Sequence, residues 1–233
     1  MISKIKFLSS MMIFGTIGIF VRHIGLPSSE IALLRGAIGS LFLIIILILL
    51  RQKISFEKIK KNLFVLLLSG IALGFNWIFL FQAYKNTTIS NAALSYYFAP
   101  VFVLMLAPVV LKEKFSAKKA ICICVAMAGM FLIISNAQNG SSAYNNILGV
   151  TYGLIAAGFY ASLMLLNKFI KSLDGLETTL IQLSISCIIL LPYVLITQGF
   201  NIFQMQGGWL IYLIILGVIH TGLGFYLFFS GMQ

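Results

Sequence analysis

The sequence predicts an all-α integral membrane protein of about eight transmembrane helices, and three observations carry this prediction. Of 233 residues, 61% are apolar and only 9% are charged, against roughly 45–50% and 25% in soluble domains. Eight apolar stretches are each long enough to span a bilayer, which takes about 20 residues. Thirteen of the 16 Lys and Arg residues lie in alternate gaps between these stretches, a pattern typical of multi-spanning membrane proteins.

The predicted spans follow the apolar stretches in chain order. They cover residues 5–24, 29–50, 63–84, 89–111, 117–135, 147–168, 176–197 and 208–231. The first span follows two lysines, as a signal peptide would, but no small-residue cleavage site comes after it and seven further spans do. Because the connections are short, consecutive helices are expected to be antiparallel neighbours or near-neighbours.

The distribution of basic residues predicts the orientation. One side of the membrane holds Lys4, Lys6, Arg51, Lys53, Lys58, Lys60, Lys61, Lys112, Lys114, Lys118, Lys119, Lys168 and Lys171. The other side holds Arg22 and Lys85. Cytoplasmic loops retain Lys and Arg, so we expect a multi-pass protein of the cell (plasma) membrane with a cytoplasmic amino terminus. Contact of these clusters with membrane lipid explains the +11 net charge, and no nucleic-acid partner is predicted.

The sequence carries no motif for hydrolytic or ATP-driven chemistry. It contains no HExxH, GxSxG or P-loop and no Asp or Glu at mid-membrane. The cysteines, Cys122, Cys124 and Cys187, lie inside apolar stretches without zinc or disulfide spacing. We therefore predict no enzyme activity, no cofactor and no metal site, and an integral-membrane enzyme is the least favoured alternative.

A weak internal repeat emerges when the chain is compared with itself at an offset near 147. At that offset residues 30–35 fall opposite residues 177–182, and Gly70 and Gly74 fall opposite Gly217 and Thr221. The matching helices occur in the same order in both halves. The pattern therefore indicates two related units.

The repeat predicts an inverted topology. A unit of five spans contains an odd number of crossings, so the chain ends the first unit on the other side of the membrane. The second unit therefore enters from the opposite face, as in many transporters that bind solute between their repeats. The predicted domains are residues 1–135, a complete five-helix unit, and residues 147–233, the first three helices of a second unit. By the same offset, two further helices of on the order of 50 residues would complete that unit.

Arg35 is the one charged residue in the interior of a predicted span, away from the first and last residues of the apolar stretch. Ionisable residues at membrane depth are functional-site candidates. Two other interpretations stay open at this point: the side chain extends to the interface, or it pairs with Glu30 one turn earlier.

Several uncharged polar and aromatic residues also lie deep in the predicted spans. They are Asn76, Trp77, Tyr96, Tyr160 and His220. Aromatic rings with one polar tip suit an amphiphilic organic solute. His220 is interpreted either as a proton relay or as a histidine bonded to a neighbouring helix. Pro100 interrupts the fourth span and either produces a tolerated kink or lines a cavity.

Three segments resemble the signature of the drug/metabolite transporter superfamily, EamA type. They are residues 83–94 (AYKNTTISNAAL), 99–102 (APVF) and 111–116 (LKEKFS). Arg35, Pro100 and Glu113 match positions of that pattern, and Asn76 with Trp77 matches the third helix more loosely. The resemblance implies ten helices in two inverted repeats, of which residues 1–135 supply the first and residues 147–233 supply three helices of the second.

The resemblance also implies a function: secondary active export of small organic metabolites, such as amino acids or related compounds, by alternating access. The predicted substrate-binding residues are Arg35, Asn76, Trp77, Tyr96, Pro100, Tyr160 and His220. Glu113 is predicted to form a cytoplasmic turn or a gate. The expected partners are a small-molecule solute and membrane lipid, and the sequence does not define the oligomeric state. The main alternative is a non-transporting membrane subunit or a degenerate fragment of such a transporter.

Overall fold

The computed structural model describes residues 2–52, 55–112, 116–137, 145–202 and 208–232. Within these ranges the chain forms helices joined by turns, with no strand. The helices are α1 (Ile2–Gly15), α2 (Ile17–Arg22), α3 (Ser28–Leu49), α4 (Phe56–Asn86), α5 (Ile89–Tyr96), α6 (Ala99–Val110), α7 (Ala117–Ala137), α8 (Asn146–Asn167), α9 (Gly175–Thr197), α10 (Trp209–Ile215), a π-helix (Leu216–Leu223) and α11 (Gly224–Met232). The predicted all-α fold class is confirmed.

Seven helical segments of the described chain are long and apolar enough to cross a bilayer. They are Ser3–Arg22, Ser28–Leu49, Phe56–Asn86, Ile89–Val110, Asn146–Asn167, Gly175–Thr197 and Trp209–Gly231. These segments correspond to seven of the eight predicted spans. The remaining prediction, residues 117–135, coincides with α7, a helix of 21 residues. The third segment begins at Phe56, because its basic first turns continue the helix beyond the apolar stretch.

The fourth span is broken before Pro100. α5 ends at Tyr96, and two turn residues precede α6. The N–H of Tyr97 donates to Ala93 O at 2.8 Å, and the N–H of Phe98 donates to Ser95 O at 3.2 Å. Pro100 is the second residue of α6, where a helix needs no intrahelical N–H donor. The predicted interruption is therefore present, and the proline starts a new helix.

The last span contains a wide turn that the sequence analysis did not predict. Between α10 and α11 the backbone is a π-helix of 8 residues. Within it the hydroxyl of Thr221 donates to Leu216 O at 2.9 Å, and His220 Nδ1 lies 3.2 Å from Ile215 O. Both side chains thus reach the carbonyl five residues earlier. Such π-turns occur frequently at functional sites.

Helix α4 lies at the centre of the bundle. It packs against α2, α3, α5, α8 and α9, while α3 packs against α9 and the π-helix, and α1 packs against α11. Fully buried side chains at these contacts include Phe81, Leu183 and Leu216. The bundle core therefore lies between the first three spans and the last three.

Two glycines allow unusually close helix contacts. A Cβ atom added at Gly70 would lie 2.6 Å from Ile185 Cγ2, and one added at Gly217 would lie 2.4 Å from Ile38 Cγ2. Distances this short require the neighbouring side chain or backbone to move. In lipid, such small-residue contacts hold helices together through close packing.

We expect Gly70→Ala and Gly217→Ala each to destabilise the protein by about 1–3 kcal/mol, because each adds a methyl group to a filled contact. Thermal unfolding of the purified protein in detergent measures the effect. Gly158→Ala is the matched control, since Gly158 is also in a helix but has no atom within 4 Å of an added Cβ. Equal melting temperatures for all three variants would contradict the close packing at Gly70 and Gly217.

Arg22 and Lys85, the two basic residues on the opposite side of the predicted bundle from the charged clusters, bind backbone carbonyls. Arg22 Nε donates to Tyr84 O at 2.9 Å, and its guanidinium also bonds Thr87 O. Lys85 Nζ donates to Leu26 O. Cations stabilise the free carbonyls at helix C-termini. Arg22 therefore binds carbonyls at the C-terminal end of α4, and Lys85 joins that end of α4 to the loop before α3, which explains their location apart from the other cations.

Candidate solute-binding site

Arg35 connects α3 to the π-helix inside the bundle. Its side chain is 2% exposed, and its Nε donates to Thr221 Oγ1 at 2.7 Å. The Thr221 hydroxyl in turn donates to Leu216 O. A threonine hydroxyl can accept one hydrogen bond while donating another. The guanidinium is thus fixed along one edge.

Aromatic rings surround the same guanidinium. Its central carbon lies 4.2 Å from the Trp77 ring centroid and 5.6 Å from that of Phe81, so both rings are in range for cation–π attraction. Tyr84 and Tyr96 lie near enough to interact with it electrostatically. The Nη1 atom is buried and has no hydrogen-bond partner in the described part of the chain. Arg35 therefore has a buried donor group, Nη1, that the described residues leave unused.

The two other interpretations of Arg35 do not hold in this structure. The side chain is buried, so it does not extend to the interface. Glu30 is also buried and directs its carboxylate elsewhere, accepting the N–H of Asn201 at 3.1 Å and the N–H of Ile202 at 2.9 Å. Residues five apart on a helix lie about 140° apart around its axis, which explains why Glu30 and Arg35 point to different neighbours.

A second polar group joins α4, α5 and α8. Asn76 is fully buried, and its Nδ2 donates to Ala156 O at 2.7 Å. Its Oδ1 accepts a long hydrogen bond of 3.4 Å from the Tyr96 hydroxyl. The Tyr96 ring lies 5.3 Å from the Tyr160 ring, centroid to centroid. Asn76 thus bonds one of two tyrosines whose rings are in contact, and it also bonds the backbone of the helix that carries the other.

His220 is bonded on both ring nitrogens. Its Nε2 lies 2.9 Å from Thr16 Oγ1 and its Nδ1 lies 3.2 Å from Ile215 O. A neutral ring can donate from Nδ1 and accept at Nε2. The Thr16 hydroxyl lies within reach of both Nε2 and Ile13 O, the latter at 2.8 Å, and its single hydrogen serves one of the two at a time. The Phe20 ring packs edge-on against it at 4.8 Å. His220 therefore links the break between α1 and α2 to the π-helix.

The structure brings most of the predicted site residues together. The connected residues are Arg35, Asn76, Trp77, Tyr96 and Tyr160, with His220 next to Thr221 in the chain. Pro100 is exposed and lies outside this cluster, and Glu113 lies outside the described residues. Sequence analysis did not select Thr221, Phe81 or Thr16. For Thr221 a signal existed, since the repeat places it opposite Gly74 at a helix contact.

The cluster offers a cation, an amide, hydroxyls and aromatic faces. In the described part of the chain, no group of three or more His, Cys, Asp and Glu residues could hold a metal ion. Such convergent polar groups in an apolar setting are typical of sites that bind small organic molecules. A bundle of membrane-spanning helices with this centre is typical of the class of membrane proteins that handle small-molecule solutes.

Comparison with known proteins identifies the family. Residues 1–135 and 147–233 match the EamA-like transporter family. The chain therefore belongs to this family, within the drug/metabolite transporter superfamily, and it is a transporter and not an enzyme.

Relatives and a solved structure agree with this assignment. The uncharacterized transporter YxxF of Bacillus subtilis (strain 168) is 34% identical over 233 residues, which cover 98% of this chain and 73% of that protein. Solute carrier family 35 member G1 of Mus musculus is 27% identical over 175 residues, which cover 71% of this chain and 47% of that protein. One protein crystal structure shares the fold, with a TM-score of 0.64 at 16% identity, covering 99% of this chain and 79% of that chain.

Proposed function

We propose that this protein is a secondary active transporter that exports small organic metabolites, such as amino acids or related compounds, by alternating access. The observation that carries the proposal is the polar and aromatic cluster around Arg35 and Asn76, which lies inside the bundle. It draws on α3, α4, α5, α8 and the π-helix, so it joins helices of both halves of the chain. Transporters of this general design bind solute between two repeats.

Glycine contacts support the proposed inverted repeat of residues 1–135 and 147–233. At an offset of 147, Gly70 corresponds to Gly217 and Ile38 corresponds to Ile185. The close contact of Gly70 with Ile185 therefore has the contact of Gly217 with Ile38 as its counterpart. A contact that recurs when the two halves are exchanged is expected of a two-fold related pair.

A second pair of contacts is also interchanged when the two halves of the chain are exchanged. A Cβ atom added at Gly39 would lie 2.4 Å from Thr221 Cγ2, and one added at Gly74 would lie 2.7 Å from Ser186 Oγ. The offset of 147 converts Gly39 into Ser186 and Gly74 into Thr221. At the level of helices, the packing of α4 on α8 corresponds in the same way to the packing of the last span on the first.

The exchange also relates two polar residues, Arg35 and Gln182, one in each half of the chain. Gln182 stands at the position equivalent to Arg35. Its Nε2 donates to Ser69 Oγ at 2.8 Å and to Asn167 Oδ1 at 2.6 Å. In an inverted pair the contacts of Arg35 and the contacts of Gln182 would lie toward opposite membrane faces. Rocking of one half against the other would open each in turn, which is the motion that alternating access requires.

The proposed orientation places the amino terminus in the cytoplasm of a cell whose plasma membrane holds the protein. It rests on the excess of Lys and Arg at that end of the bundle. Single cysteines at the exposed positions Gln52 and Gly25 test it in a variant that lacks the native cysteines. A membrane-impermeant maleimide should label Gly25→Cys in intact cells and Gln52→Cys only after lysis. The reverse pattern would contradict the orientation.

Uptake into proteoliposomes tests the transport proposal. Purified protein is reconstituted and offered labelled amino acids and related metabolites, with protein-free liposomes as background. Time-dependent uptake that saturates with solute concentration is the expected result. Absence of uptake by protein that elutes as a single folded species would overturn the proposal and favour the alternative, a non-transporting membrane subunit or a degenerate fragment.

A further inference from the structure

We propose that Arg35 binds a carboxylate group of the transported solute, so that the solute class is small organic carboxylates. This inference rests on the proposed function and makes it more specific. Three features of the structure carry it. The Nη1 atom is buried and has no partner among the described residues, and no carboxylate among them pairs with Arg35. The guanidinium is also held by Thr221 at Nε and by the face of the Trp77 ring.

The described chain offers no counter-charge to Arg35. Four of the five acidic residues are described, and they are Glu30, Glu57, Asp174 and Glu177. Glu30 binds the backbone N–H groups of the segment that follows α9. Glu57 pairs with Lys61 at 2.7 Å, and Asp174 and Glu177 form the capping box that starts α9. Each of these carboxylates is therefore committed elsewhere.

A buried guanidinium without a counter-charge is unfavourable. Ionised groups removed from water are normally paired with an opposite charge and fully hydrogen-bonded. Thr221 satisfies Nε, and the Trp77 face supplies cation–π attraction, but neither provides a negative charge. An anion bound at Nη1 would supply the missing negative charge.

The number of cations favours a carboxylate over a phosphate. Arg35 is the one Lys or Arg in the interior of an apolar span, away from its ends, whereas a phosphate carries about −1.5 to −2 charges near neutral pH. A single guanidinium matches a single carboxylate and donates to its oxygens from a planar fork. The neighbouring Tyr84 carries a hydroxyl group that can donate to the same anion, whereas the Tyr96 hydroxyl donates to Asn76 Oδ1. The aromatic rings would then contact the apolar part of the solute.

Uptake of matched acids and amides tests the inference. Proteoliposomes are offered two labelled pools: monocarboxylates from acetate to hexanoate with benzoate and N-acetylated amino acids, and the primary amides of the same compounds. The acid pool should be taken up and the amide pool should not. In Arg35→Gln, uptake of acids at limiting concentration should fall roughly 10- to 100-fold, as expected for loss of a charge-assisted hydrogen bond in a buried site. Arg35→Lys should restore part of it.

Control measurements separate this inference from the proposed function. Lys61→Gln removes an exposed cation of the same chain and should leave uptake unchanged. The comparison of acids with amides in the unsubstituted protein needs no variant, so a misfolded Arg35→Gln would not obscure it. Equal uptake of both pools, or uptake of amides alone, would overturn the carboxylate assignment while transport stands. Uptake of neither pool by folded protein would overturn the carboxylate assignment, and the proposed function would fall with it only if the labelled amino acids and related metabolites were not taken up either.

Discussion

Thr221→Val is expected to lower the initial rate of solute uptake at least tenfold and to destabilise the protein by about 1.5–3 kcal/mol. Valine has nearly the shape of threonine, but it cannot accept the hydrogen bond from Arg35 Nε, which is 2.7 Å long and buried. Hydrogen bonds to charged groups contribute this amount, and an unpaired buried charge disfavours the folded state further. Uptake into proteoliposomes and thermal unfolding in detergent measure the two effects.

The control for this prediction is Thr221→Ser. Serine keeps the hydroxyl and removes the methyl group that a Cβ at Gly39 would meet at 2.4 Å. We expect uptake near that of the unsubstituted protein. If Thr221→Val transported as well as Thr221→Ser, Arg35 would not depend on this hydroxyl, and the geometry assigned to the site would be wrong.

Asn76→Leu is expected to lower uptake at least tenfold and to destabilise the protein by about 1–3 kcal/mol. Leucine is similar in size, but it leaves the Tyr96 hydroxyl without its acceptor and removes the donor to Ala156 O. Loss of buried hydrogen-bond partners has effects of this size. Uptake should fall because the Tyr96 hydroxyl loses the bond that holds it to α4, and α4 loses its bond to the backbone of α8.

Tyr96→Phe separates the two hydrogen bonds of Asn76. It removes only the bond of 3.4 Å and keeps the bond of 2.7 Å to Ala156 O. Its effect on stability should be clearly smaller than that of Asn76→Leu. Equal destabilisation by the two variants would show that the contact with Ala156 contributes little, contrary to the role assigned to it.

The spans could be predicted from the sequence because the bilayer fixes their length and composition. Apolar stretches of about 20 residues have few other stable locations, and all backbone groups within them must bond internally. Arg35 could be recognised for a related reason, since a lone cation in such a stretch must find a partner inside the protein. Burial of Asn76 and Trp77 followed from their position along the third span.

Other features depend on tertiary contacts that local sequence does not specify. Thr221 lies in the π-helix, within hydrogen-bond distance of Arg35. The helix propensities of residues 216–223 do not distinguish a π-helix from an α-helix. The bond between His220 and Thr16 joins residues 204 positions apart, so neither residue indicates it alone. The bonds that Glu30 accepts from Asn201 and Ile202 were not predicted for the same reason, since they join residues 171 and 172 positions apart. The sequence offered Arg35, a few residues away, as the partner of Glu30.

Counterflow in proteoliposomes tests the central claim, alternating access at a solute site inside the bundle, most directly. Vesicles are loaded with a high concentration of unlabelled carboxylate solute and diluted into a trace of the same labelled compound. A transporter that exposes one site alternately to each face predicts a transient accumulation of label above its equilibrium level. Label that rises to equilibrium without an overshoot, at a rate independent of the internal solute, would contradict alternating access.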